Sequence, residues 1–159
     1  MFFIIDGHNL LWAIRNSSEV SGSVSDIELC QLVSVFFELT RQKGELVFDG
    51  TGPPERAPFH SIRNLEVFFS GANSDADTII ENKIAASTAP KNLTVVSSDR
   101  RLRKAARTRK AVSVKSEVFW INIQKQLTRK RAAPEPSQKR NGLTDGETTQ
   151  WLKLFGMEQ

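Results

Sequence analysis

The sequence predicts an α/β fold built on a parallel sheet, and three observations carry that expectation. Short apolar runs of strand length recur along the chain, at about Phe2–Asp6, Glu45–Asp49, Leu65–Ser70, Leu93–Ser97 and Val112–Val114. Most are separated by stretches whose apolar residues repeat at helical spacing. Strands alternating with helices pack as a parallel sheet with right-handed crossovers. The third observation is where the runs stop. Phe2-Phe3-Ile4-Ile5 ends on Asp6, Leu46-Val47-Phe48 ends on Asp49, and Leu93-Thr94-Val95-Val96-Ser97-Ser98 ends on Asp99. Val67-Phe68-Phe69 ends on Ser70, just ahead of Asp75, Asp77 and Glu81. Open α/β sheets bind ligands outside the carboxyl ends of their strands. These acids are therefore expected along one rim.

The elements follow in order. After the first strand, Asn9–Ile14 has short helical potential, and Ser17 to Ser25 reads as a Ser- and Gly-rich loop. Ser25 and Glu28 then form a capping box that opens a helix. Its apolar face is Ile27, Leu29, Leu32, Val33, Val35, Phe36 and Leu39, and Gly44 is expected to stop it. The second strand runs into Gly50-Thr51-Gly52-Pro53-Pro54, an irregular loop by composition. The connection from Thr51 to Asn64 need not hold a full helix. After the third strand, Ser74 is expected to cap a helix with Asp77 in the box position. Ile79, Ile80, Ile84 and Ala85 give that helix its apolar side, and Pro90 ends the region. The fourth strand leads into a basic helix at Arg100–Thr108. A short strand at Val112–Val114 precedes a last helix over about Ser116–Leu127.

Residues 1–128 thus form one domain. Residues 129–142 are basic, contain proline and lack apolar periodicity, as a flexible linker does. Residues 143–159 hold a second capping box, Thr144 with Glu147, and an apolar stripe of Trp151, Leu152, Leu154 and Phe155 closed by Gly156. So short a helix is marginal alone in water, so it is expected to dock on its own domain or on a partner.

Bulk properties narrow the function classes. With 159 residues and 39% hydrophobic content, the chain can furnish one core without disulfides. Its single cysteine, Cys30, sits among Leu29, Leu32 and Val33 and reads as a buried thiol in a reducing compartment. The two histidines, His8 and His60, are too few and too far apart for a zinc site. No apolar stretch has the length of a membrane span, and the chain opens on a strand without a charged leader. A cytoplasmic location is the expectation. The net charge of +4 and the pI near 9.5 favour a polyanionic partner.

The acids suggest a hard-cation site. Mg²⁺ and Mn²⁺ take oxygen ligands, and Mg²⁺ keeps several waters while using few carboxylates. Asp6, Asp77 and Asp99 are the candidate ligands. Asn9 is placed to orient a phosphate or a bound water, with Asp49 and Glu81 as outer or second-ion groups. Each acid also has an ordinary explanation. Asp99 can cap the basic helix, Asp77 can complete a box with Ser74, and Asp49-Gly50 is a common turn pair. Their recurrence at one topological position favours a site. Beside Asp99 the chain turns strongly basic, and Arg100, Arg103, Lys104 and Arg107 offer a phosphate grip leading to the acids. Aromatic spacing for base stacking is missing, and Trp12 and Trp120 read as core or edge packing.

Four motifs in this order resemble a known family. They are Ile5-Asp6-Gly7-His8-Asn9-Leu10, Val47-Phe48-Asp49-Gly50, Ala76-Asp77-Thr78-Ile79-Ile80-Glu81 and Val95-Val96-Ser97-Ser98-Asp99-Arg100. Over about Phe2 to Leu127 the chain resembles the NYN domains of the PIN-like nuclease superfamily, specifically the YacP-like group. The resemblance implies a three-layer α/β/α sandwich with a central parallel sheet. It implies a Mg²⁺- or Mn²⁺-dependent endoribonuclease, with Asp6, Asp77 and Asp99 as metal acids, Asn9 in support and Asp49 as a further strand-end acid. It also implies RNA, single-stranded mRNA, as substrate and the ribosome as a partner; nothing selects DNA. His8 stands where the family usually has tyrosine. Two other functions fit the same residues: an inactive RNA- or ribosome-binding module, and a toxin-like nuclease held by a protein partner.

Overall fold

The structure, a computed structural model, describes residues 1–17 and 24–132, the last two by backbone alone. Most of the Ser- and Gly-rich loop, most of the expected linker and the whole expected terminal helix lie outside the described residues.

The chain enters the sheet at its centre. Strand β1 (Phe2–Asp6) is followed at once by helix α1 (Gly7–Arg15), longer and earlier than the short helix expected. Helix α2 (Asp26–Thr40) leads to β2 (Lys43–Phe48), and the single-turn α3 (Ala57–His60) leads to β3 (Leu65–Phe69). Helix α4 (Ala76–Ala86) returns the chain across the sheet to β4 (Leu93–Val96). Helix α5 (Arg100–Thr108), β5 (Val112–Val114) and α6 (Ser116–Ala132) follow. All pairings between these strands are parallel, in the order β3-β2-β1-β4-β5. The expected parallel α/β architecture is present.

Successive strand side chains point to opposite faces, and this divides the core in two. Phe3, Ile5, Leu46, Phe48 and Val96 face α1, α2, α3 and α6 in one buried cluster. Ile4, Val47, Leu93 and Val95 face α4 and α5 in the other. The first layer is aromatic: Phe3 lies 5.2 Å from Phe37 and 5.6 Å from Phe119, ring centre to ring centre. Truncating the fully buried Phe37 to alanine should cost about 3–5 kcal/mol. Cys30 is buried in this layer, as expected.

Helix α2 opens as its sequence requires. Ser25 Oγ accepts from the Glu28 N–H at 3.2 Å, and Glu28 Oε1 accepts from the Ser25 N–H at 2.9 Å. Its end departs from expectation. Arg41, at φ 57°, takes the left-handed cap position, and Gly44 belongs to β2. Gly44 serves close packing instead: a Cβ there would stand 2.3 Å from the Phe3 carbonyl oxygen. Trp120 is buried, but Trp12 is 58% exposed and so is neither core nor edge packing. Helix α6 continues to Ala132, so residues 129–132 extend the helix instead of beginning a linker. No helix among the described residues is long and apolar enough to cross a membrane.

Candidate functional site

The strand order reverses beside β1: the chain builds β2 and β3 on one flank, then β4 and β5 on the other. The cleft outside the carboxyl ends of β1 and β4 is thus the switch point where such folds bind ligands. Asp6 ends β1 at that point and is only 6% exposed. Ile5 aligns with Val96, which brings Ser97 level with Asp6. The buried Ser97 hydroxyl donates to Asp6 Oδ2 at 3.1 Å and accepts from the Asp99 N–H at 3.0 Å. One hydroxyl therefore ties two of the expected acids together.

Burial pushes the Asp6 carboxyl up from 3.8 to about 6. The Ser97 hydroxyl opposes this, the Asp77 charge adds to it, the nearby Asn9 N–H opposes it, and the Asp49 charge adds again. Asp77, in the first turn of α4, is also raised, first by burial and then by the charge of Asp99. Arg101 pulls it down, while Asp75 and Asp49 push it up. The four expected acids thus lie within reach of one another's fields. They do not form a closed cage: among the described residues, no three or more His, Cys, Asp and Glu side chains stand close enough to hold one ion.

Each acid is held differently. Asp49 Oδ1 accepts from the Ala76 N–H at 2.7 Å, joining the end of β2 to the start of α4. Its Oδ2 lies 4.0 Å from His8 Nδ1, and His8 Nε2 lies 3.9 Å from Asp26. Asp99 caps α5, its Oδ1 accepting from the Arg101 N–H at 2.8 Å. The cap of α4 is Asp75, which accepts from the Thr78 N–H at 2.7 Å; Ser74 is not the cap. Asp77 is therefore free of the capping role expected of it. Glu81 Oε1 accepts from Arg101 Nη2 at 2.7 Å.

Asn9 is pinned through its oxygen. Oδ1 accepts from the Ser98 N–H at 2.9 Å and from the Ser116 hydroxyl at 2.5 Å. Ser98 Oγ accepts from the Ser116 N–H at 3.0 Å and donates to Glu117. This network fixes α1, the end of β4 and the start of α6 against one another. The amide nitrogen of Asn9 has no partner among the described residues and remains available to a ligand. Gly7 lets α1 begin this close to the sheet, since a Cβ there would stand 2.5 Å from the Phe48 ring.

On α5, Leu102 and Ala106 are buried. Arg100, Lys104 and Arg107 are exposed, and Arg103 is half-buried with its Nε unpaired. The expected basic face is thus open to a ligand next to Asp99. Sequence reasoning assigned no role to Ser97, Ser116 or Glu117, and counted Arg101 only as one cation of the basic run. Ser97-Ser98 directly before a strand-end aspartate was the available signal for the first; the others depend on tertiary contacts.

Comparison with known proteins agrees with this geometry. The model of the YacP-like NYN domain matches residues 3–154. The chain belongs to the YacP-like NYN family. That places it among nuclease-type, RNA-related proteins, a group generally dependent on divalent metal. The match runs past residue 128, so family likeness extends through the segment assigned to a linker and into the one assigned to a separate terminal helix.

Solved NYN structures share the fold. Rae1 (YacP) from Bacillus subtilis matches with a TM-score of 0.64 at 19% identity, over 81% of this chain and 76% of that one. Its W164L mutant matches with a TM-score of 0.59 at 22% identity, over 82% of this chain and 80% of that one. No curated protein matches the chain.

Proposed function

We propose that this YacP-like NYN protein is a Mg²⁺- or Mn²⁺-dependent endoribonuclease that hydrolyses phosphodiester bonds of single-stranded mRNA, with the ribosome as a partner. One observation carries the proposal. Asp6 is a carboxylate buried at the switch point, within the fields of Asp77 and Asp49. A buried acid among like charges is a costly arrangement for folding alone. A cation would relieve it, and the donor set is all oxygen, as a hard divalent ion requires.

Asp6, Asp77 and Asp99 would hold the ion between them, in part through its own waters, since these acids do not close on one point. Bound there, it would supply Lewis-acid stabilisation of the phosphoryl group and an acidified water. The protein's own residues do the rest. Ser97 keeps Asp6 and Asp99 in register. Asn9, locked through its oxygen, presents its amide N–H groups to a phosphate or water. Asp49 fixes the start of α4 and so the turn that bears Asp77. Arg100, Arg103, Lys104 and Arg107 grip the RNA backbone and offset the repulsion of the acidic rim.

The test is cleavage of RNA, free and ribosome-bound, by wild type and Asp77→Asn, with and without Mn²⁺. Wild type should cut only with the ion. Asp77→Asn should lose cleavage while keeping its circular dichroism and melting temperature. Undiminished cutting by that variant sinks the proposal. RNA that binds but is never cut points to a binding module instead.

A further inference from the structure

Asp77 and Asp99 sit on different helices, and Arg101 stands between them. Its main-chain N–H donates to Asp99 Oδ1 at 2.8 Å. Its guanidinium Nη2 donates to Glu81 Oε1 at 2.7 Å and to Thr78 Oγ1 at 3.3 Å. Thr78 is the neighbour of Asp77, and Glu81 lies four residues on, over the same side of α4. One residue therefore holds the Asp99 carboxylate through its backbone and the α4 edge bearing Asp77 through its side chain. Its charge also reaches Asp77 directly.

We propose that Arg101 is a positioning residue that sets Asp77 against Asp99 for ion binding, and is not one of the cations that grip RNA. This rests on the metal-site assignment made above. Arg101 is exposed like Arg100, Lys104 and Arg107, but its guanidinium is already committed to two α4 partners. Both bonds leave one guanidinium nitrogen, so an ammonium could supply the charge but not the planar group's fixed orientation. Fold stability does not account for the pair: at 48% and 34% side-chain exposure, a salt bridge contributes little. Misplacing a catalytic group by about 1 Å, in contrast, can cost about 100-fold in rate.

The test is titration of Mn²⁺ alone into metal-free, full-length protein by calorimetry. Wild type is compared with Arg101→Ala, Arg101→Lys, Glu81→Gln and the Arg101→Ala/Glu81→Gln double variant. Removing a positive charge beside the acids would by itself tighten cation binding. Positioning predicts the reverse, with Mn²⁺ binding at least about tenfold weaker in Arg101→Ala, as for outer partners of metal ligands. Arg101→Lys should fall between, and the double variant should be no weaker than the worse single one, because the two side chains act as a unit. Unchanged or tighter Mn²⁺ binding overturns the proposal, as does a wild type that binds no Mn²⁺. Melting temperatures confirm that the variants are folded; should Arg101→Ala fail, Arg101→Lys decides. RNA cleavage run in parallel should show kcat falling with KM unchanged. A raised KM with unchanged kcat would make Arg101 an RNA contact and overturn the proposal. A wild type that binds Mn²⁺ but leaves RNA intact defeats the nuclease assignment alone, and the Mn²⁺ titrations still decide the role of Arg101.

Discussion

Three helices begin on an aspartate at this rim, α1 on Asp6, α4 on Asp75 and α5 on Asp99, and the first two use their carboxylates in opposite ways. Asp75 is exposed, and its side chain accepts from the Thr78 N–H, which holds its carboxyl below the usual range. That is what a helix N-terminus does for an acid in its cap position. Asp6 makes no cap bond of ordinary geometry to α1, although the Asn9 N–H lies near enough to lower its carboxyl in part. It is buried, held by Ser97 from a neighbouring strand, and raised to about 6. Asp75 is satisfied by its own helix. The surroundings of Asp6 disfavour its charged form, the cost that the ion of the proposed site would offset.

Asp6→Asn is the sharpest way to break this contrast. Cleavage should fall by more than about 100-fold, beyond the range for a mere supporting residue. Stability should move the other way. A carboxyl raised in the folded state favours folding most below 3.8, and that contribution is lost as pH climbs to about 6. Above about 6 the charged form costs roughly 3 kcal/mol in the metal-free protein. Thermal melts in chelator should therefore show Asp6→Asn gaining on wild type between about pH 4 and 6 and staying ahead at neutral pH. A variant that melts lower at pH 7 would mean that Asp6 is structural, like Asp75.

Ser97→Ala comes next in size. It removes the hydroxyl that serves both Asp6 and the Asp99 N–H. A buried donor and acceptor lose their partner, at a cost of about 1–3 kcal/mol. Cleavage should drop by about 10- to 100-fold, as for other outer partners of metal ligands. Steady-state kinetics and melting curves read the two effects separately. Full activity in Ser97→Ala would show that the Asp6–Asp99 link is dispensable.

These residues also show what was legible in the sequence. Strand β5 and helix α5 have the expected bounds, because a short apolar run and a basic helix with Leu102 and Ala106 inward are local patterns. The rim positions of Asp6, Asp49 and Asp99 were legible for the same reason, since each follows a visible apolar run, whereas Asp77 was placed only by the helix that starts beside it. Their division of labour was not legible. Ser74 and Asp75 are both good caps, and in the fold it is the Asp75 carboxylate that accepts from the Thr78 N–H. Gly44 looked like a helix stop because its close approach to Phe3 across the sheet has no local signature. Arg101 was one cation in a basic run until the fold set Glu81 and Thr78 opposite it.

A third contrast separates ion from RNA. Arg107→Glu, or Arg100→Glu, should raise KM for RNA and leave kcat nearly unchanged. Each lost phosphate contact should reduce the slope of log affinity against log salt by about one. Filter binding at several salt concentrations measures this. A fall in kcat with an unaltered salt slope would place the α5 cations with the acids and not with the RNA backbone.

The smallest effect belongs to Asp75. Serine is as good a cap as aspartate, so Asp75→Ser keeps a side-chain acceptor for the Thr78 N–H. What it removes is a charge at the exposed edge of the rim, one of the weaker influences on Asp77. Exposed charges are screened by salt, so cleavage at about 0.15 M ionic strength should stay within about twofold of wild type. Mn²⁺ titration of the same variant should be similarly unmoved. If Asp75→Ser instead lost cleavage as Asp6→Asn should, capping would not exempt an acid from the site, and Asp99, which also caps its helix, would have to be judged by the same measurement.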